Sequence, residues 1–139
     1  MRQQVILDTG AIVALINRQD QHHQWVIGEL ATIQPPLITC EAVISEAFFL
    51  LRRVRNGIET LKDLLDRKHV QIVFQLDPEV QIVTDLIIRY NSVPMAFADA
   101  CLVRMAELYP NSSVFTIDQD FLIYRKNTNQ LISAIAPWD

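Results

Sequence analysis

Glycine is scarce in this chain, with three in 139 residues. Long flexible linkers need more, so a string of loosely tethered segments is excluded. Charge is also sparse: 20% of residues are charged, whereas half are hydrophobic. That balance excludes a disordered chain and supplies enough apolar surface for a substantial core. Basic residues are too few for a general electrostatic grip on nucleic acid. Twelve Lys and Arg face sixteen Asp and Glu, giving a net charge of −4 and a pI near 5.3. An enzyme whose acids share one pocket is not excluded, because divalent cations offset such acids. Cysteine is limited to Cys40 and Cys101, without the paired spacing of a metal site or disulfide framework. Both read as buried free thiols of a reducing, cytoplasmic compartment. The longest apolar run, Ala11 to Ile16, is far too short to span a bilayer. Met1-Arg2-Gln3-Gln4 passes straight into Val5-Ile6-Leu7 with no leader pattern, so the expectation is an unprocessed chain without a membrane partner.

The length fits a single domain, residues 1–139, around one core. Val5 to Leu7 is a wholly apolar run, as expected of a strand buried on both faces. Helices are predicted over 10–18 and 21–33, the second stopped by Pro35-Pro36 and carrying Trp25, Ile27, Leu30 and Ile33. Leu37 to Thr39 reads as a strand, with Thr39 as a cap for a helix over 40–55 that Asn56-Gly57 ends. A helix over 58–68, a strand over 70–74 and a helix from Asp77 to about Tyr90 follow; Asp77 is its expected capping acid and Pro78 lies in its first turn. Then come a helix over 95–109, a strand over 113–117 and a last strand within 131–135. Strands alternating with helices predict a three-layer α/β/α sandwich on a mainly parallel sheet.

Four acids stand apart from the rest. Asp8 and Asp118 each follow an apolar strand, at the sheet edge where ligands bind in open α/β folds. Glu46 has Ala42, Val43, Phe49 and Leu50 at helical spacing, and Asp99 has Met95, Leu102, Val103 and Ala106. Both are therefore expected on core-facing stripes, where an unpartnered carboxylate costs several kcal/mol. An ion pair or a backbone cap explains any one such acid. Four together suggest a shared cation, and carboxylate oxygens suit magnesium or manganese. Thr9 and Thr116 lie beside the strand-end acids; ordinary turn chemistry is the better reading for Thr9. Asp120 competes with Asp118 for the fourth position and reads as an outer ligand or a helix cap.

The strand ending in Asp8, Ser45-Glu46-Ala47, Phe97-Ala98-Asp99-Ala100 and Thr116-Ile117-Asp118-Gln119-Asp120-Phe121 together resemble the PIN-domain family across essentially the whole chain. The resemblance implies an α/β/α fold and a Mg2+- or Mn2+-dependent ribonuclease with Asp8, Glu46, Asp99 and Asp118 as its acidic site. It also implies a VapC-type toxin, held by a small antitoxin and commonly dimeric. Asp20-Gln21-His22-His23 resembles that group too, with His22 and His23 as exposed helix-start residues. The acidic balance departs from an RNA-binding toxin. Arg52, Arg53 and Arg55 are the nearest candidates for phosphate contact, with helix-dipole complementarity an equal reading. Arg125-Lys126 is a weaker candidate.

Three other readings compete. Asp8-Thr9-Gly10 has the local form of an aspartic protease site, but helical periodicity and the lack of a second Asp-Thr-Gly argue against an all-β protease. A haloacid-dehalogenase-like phosphatase wants an acid two residues after the first, where Gly10 stands. A catalytically silent binding module would keep the fold and offer Trp25, Leu30 and Phe48-Phe49 to a partner.

Overall fold

The computed structural model describes residues 3–138. Its centre is β1 (Gln4–Leu7), where Val5, Ile6 and Leu7 are buried as the unbroken apolar run demands. β2 (Leu37–Thr39) and β4 (Ser112–Phe115) flank it, with Ile6 opposite Ile38 on one side and Val114 on the other. β3 (Val70–Ile72) and β7 (Ala134–Ile135) complete a five-stranded, all-parallel sheet in the order β3-β2-β1-β4-β7. β5 (Arg125–Lys126) and β6 (Gln130–Leu131) form a separate antiparallel pair.

Among the described residues six helices flank the sheet: α1 (Thr9–Ile16), α2 (His23–Leu30), α3 (Glu41–Leu51), α4 (Gly57–Asp66), α5 (Val80–Arg89) and α6 (Phe97–Leu108). α1 packs against α2, α3 and α4, whereas α5 packs on α6, which lies over β1 and β4. From β1 the chain winds outward to β2 and β3, then crosses back through α5 and α6 to β4. The strand order therefore reverses between β1 and β4, and a crevice opens at their carboxyl ends. Among the described residues no helix is long and apolar enough to cross a membrane.

Several local expectations change. Thr39 does not cap α3. Its hydroxyl donates to the Leu7 carbonyl at 2.8 Å, locking β2 to β1, and Cys40 takes the cap position. α3 stops at Leu51, short of 55, and the chain doubles back so closely that a Cβ on Gly57 would lie 2.7 Å from the Leu51 carbonyl oxygen. Asn56, in the left-handed region at φ 57°, leads into α4 instead of ending α3. Asp77 makes no capping bond; Asp77–Glu79 form a 3-10 turn before α5. The predicted last strand divides between β6 and β7. Cys40 and Cys101 are free and buried.

Candidate functional site

The carboxyl ends of β1 and β4 deliver the first two acids. Asp8 is buried and caps α1: Oδ1 accepts the Thr9 N–H at 2.7 Å. Oδ2 accepts the Thr116 hydroxyl at 2.6 Å, and the same hydroxyl oxygen accepts the Asp118 N–H at 2.9 Å. Thr116 is thus a bridge between the two strand-end segments. Asp118, half-buried, caps the 3-10 turn Gln119–Leu122 by accepting the Asp120 N–H at 2.9 Å. Thr9 contributes through its backbone; its buried hydroxyl has no hydrogen-bond partner among the described residues.

Asp99 sits in the first turn of α6, where it accepts the Ala96 N–H at 3.4 Å and the Tyr124 hydroxyl at 3.1 Å. It is half-buried. Tyr124 had no signal in the sequence as a site residue. It lies in an apolar run, Phe121-Leu122-Ile123-Tyr124, and only the fold turns its hydroxyl to Asp99. Its ring is fully buried and meets Tyr90 and Phe121 edge-on at 5.3 and 5.2 Å. Burial and the neighbouring Asp99 charge push its hydroxyl pKa up, so it stays a donor.

The acids act on one another. Burial pushes Asp8 up to about 7, and the charges of Asp99 and Asp118 add to that rise against the hydrogen bonds of Thr116 and Thr9. Burial likewise pushes Asp99 up to about 6, with the charges of Asp118 and Glu46 adding to it. Asp120 is raised by burial and by Asp118, whereas Asp118 is among the charges that most raise Asp8 and Asp99. Glu46 corrects the expectation of a core-facing acid. It is exposed, because the Phe49 and Leu50 that made its stripe look apolar are themselves 61% and 46% exposed.

Among the described residues, none of Asp8, Glu46, Asp99, Asp118 and Asp120 is in an ion pair. Arg104, the basic residue nearest Asp99 in sequence, holds Glu79 at 2.6 Å and Glu107 at 3.1 Å instead. Backbone caps orient Asp8, Asp99 and Asp118 but supply no net positive charge. A hard divalent cation fits such an all-oxygen donor set. No three Asp, Glu, His or Cys side chains among the described residues close into a ready-made cage. Few protein ligands per ion suit magnesium, which keeps several of its waters.

The arginine candidates separate. Arg52 stacks over the Phe49 ring at 3.8 Å and donates to the Phe49 carbonyl at 2.7 Å. Arg53 and Arg55 line a cleft with Arg18. Arg125 is spent on the carbonyls of Leu122, Ile123 and Tyr124. His23 is not a free surface residue: it is half-buried, and its Nδ1–H donates to the Ala14 carbonyl at 2.7 Å. His22, also half-buried, occupies the cap position of α2. Trp25 and Phe48 pack against the core, Trp25 edge-on to Phe115 at 5.6 Å, which leaves Phe49 as the exposed aromatic of that set. An apolar cavity of about 190 Å³ lined by α1, α2 and the sheet contains none of the acids.

The PIN-domain signature matches residues 5–127, and the chain belongs to the PIN-domain family. PIN domains are typically nucleases, and PIN nucleases generally use divalent metals. VapC20 of Mycobacterium tuberculosis, a sarcin–ricin loop cleaving toxin, superposes with a TM-score of 0.74 at 21% identity, over 84% of this chain and 92% of that one. FitAcB of Neisseria gonorrhoeae gives 0.57 at 16% identity, over 84% and 88%. FitAB bound to an IR36 DNA fragment gives 0.63 at 13%, over 98% and 96%. At these identities the likeness establishes the shared fold. No curated protein matches the chain in sequence.

Proposed function

We propose that this chain is a metal-dependent endoribonuclease, with Asp8, Glu46, Asp99 and Asp118 as the residues that hold Mg2+ or Mn2+ and Asp120 as an outer ligand. One observation carries the reading: the charges of Asp99 and Asp118 raise the cost of ionising Asp8, and that of Asp118 the cost of ionising Asp99, with no cation paired to any of the three among the described residues. The preference for Asp118 over Asp120 rests on its charge reaching both Asp8 and Asp99. A bound divalent ion supplies a water of lowered pKa and offsets charge on the phosphate. The chain's own groups do the rest. Thr116 and the Thr9 amide fix Asp8 with one hydrogen bond to each carboxylate oxygen, leaving a lone pair on each for the ion. Asp99, oriented by the Tyr124 hydroxyl, is the carboxylate we assign to take a proton from the attacking water.

We read the chain further as a single-domain cytoplasmic toxin with a small antitoxin partner and a homodimeric state. The support is the fold shared with VapC20, a toxin by its description, and with the FitAB complex. Incubation with a panel of structured RNAs, with and without Mn2+, tests the activity. Cleavage that needs the metal and falls at least a hundredfold in Asp8→Asn, with the fold retained by circular dichroism, is expected. Undiminished cleavage by Asp8→Asn overturns the assignment. RNA binding without cleavage under any metal condition makes the chain a silent binding module.

A further inference from the structure

The C-terminal end of α1 and the turn after α3 frame an open cleft of about 830 Å³. Arg18, Arg53 and Arg55 line it, with Asn17, Gln19 and Asn56 between them. Among the described residues, none of the three arginines is in an ion pair or makes a side-chain hydrogen bond. Arg52, Arg67, Arg104 and Arg125 are, by contrast, engaged by the chain's own groups. Lys68, Arg89 and Lys126 are likewise in no ion pair among the described residues; what sets Arg18, Arg53 and Arg55 apart is that they line one cleft together. Helix-dipole complementarity does not explain them, because Arg52 already serves the end of α3 through the Phe49 carbonyl.

The cleft also has a defined place relative to the acids. α1 begins directly after Asp8 and its eight residues span about 12 Å, so Asp8 and Arg18 lie at its two ends. α3, which carries Glu46, ends at Leu51, and the turn that follows supplies Arg53 and Arg55 to the cleft. Given the nuclease reading above, on which this step rests, we infer that Arg18, Arg53 and Arg55 bind the phosphodiester backbone of RNA outside the scissile bond. Guanidinium groups suit phosphate oxygens, and contacts of this kind position a strand without reading its sequence. Part of the basic contribution missing from the composition is thereby gathered in one cleft, a helix length of about 12 Å from Asp8.

Binding of a short fluorescent single-stranded RNA to the full chain, in the Asp8→Asn background with chelator present, tests this without interference from cleavage. The triple variant Arg18→Gln, Arg53→Gln, Arg55→Gln is expected to bind at least tenfold more weakly at about 50 mM salt. Its dependence of log affinity on log salt should be shallower by about 2, three contacts at roughly 0.7 each. The corresponding triple lysine variant should keep most of the slope, which separates lost charge from lost structure. Unchanged affinity and slope in the glutamine variant overturn the inference, as does absence of RNA binding altogether. Displacement of the RNA by inorganic phosphate at matched ionic strength also overturns it, since the cleft is then a free-phosphate site. Failure of the unsubstituted chain to cleave any RNA would defeat the nuclease reading alone, because the binding comparison does not depend on it.

Discussion

Asp8 is the residue on which burial and charge conflict most sharply. Its folded pKa of about 7 lies above the ordinary 3.8, so between those values the folded state holds a proton that the unfolded state releases. Stability therefore falls as pH rises through that window, by about 4 kcal/mol for this one group, and the penalty is fully present above about 7. Asp99 adds in the same direction up to about 6. In chelator, thermal melts should give a higher midpoint at pH 5 than at pH 8, and Asp8→Asn should flatten the difference and raise the midpoint at pH 8. A wild-type midpoint that climbs from pH 5 to 8 is the opposite result. Tyr124 opposes the rise at Asp99 by donating to its carboxylate. Tyr124→Phe should cost about 1 kcal/mol in urea unfolding and move the Asp99 titration, followed by carboxyl-carbon NMR, to higher pH. A titration that stays in place would remove Tyr124 from the site. Asp8 and Asp118 were legible in the sequence because strand ends announce themselves. Asp99 was legible because its neighbours at helical spacing are buried. The same rule selects Glu46 on a false premise, since apolar neighbours on a helix do not reveal whether that face is covered. Tyr124 left no mark, because its partner is 25 residues away and only the fold joins them.

Element types were readable throughout, because short apolar runs and helical periodicity alternate along the whole chain. Element ends were not. Periodicity predicts a helix over 40–55 ended by Asn56-Gly57, yet the chain turns after Leu51 because Gly57 lets the backbone approach the Leu51 carbonyl. Periodicity contains no information about such a contact. Gly57→Ala should force that turn apart and cost about 1–3 kcal/mol by denaturant unfolding. A neutral substitution would mean that the turn relaxes freely and that the close approach is incidental. Thr39 teaches the same lesson: a residue suited to capping was taken by a tertiary partner, the Leu7 carbonyl, that local sequence does not show.

At the scale of the whole molecule, the strand order places the reversal between β1 and β4, so two distant segments present Asp8 and Asp118 at one crevice. The proposed function makes that crevice the place where a divalent cation would bind. Calorimetric titration of Mn2+ into the chain at pH 6, repeated in buffers of different ionisation enthalpy, tests this most directly. The expected result is binding that releases protons, since Asp8 and Asp99 are partly protonated there and must ionise to act as ligands. At pH 8.5 the proton release should vanish, and Asp8→Asn should weaken binding at least tenfold. No binding heat up to millimolar Mn2+ at either pH, or binding equally tight in Asp8→Asn, would contradict the account.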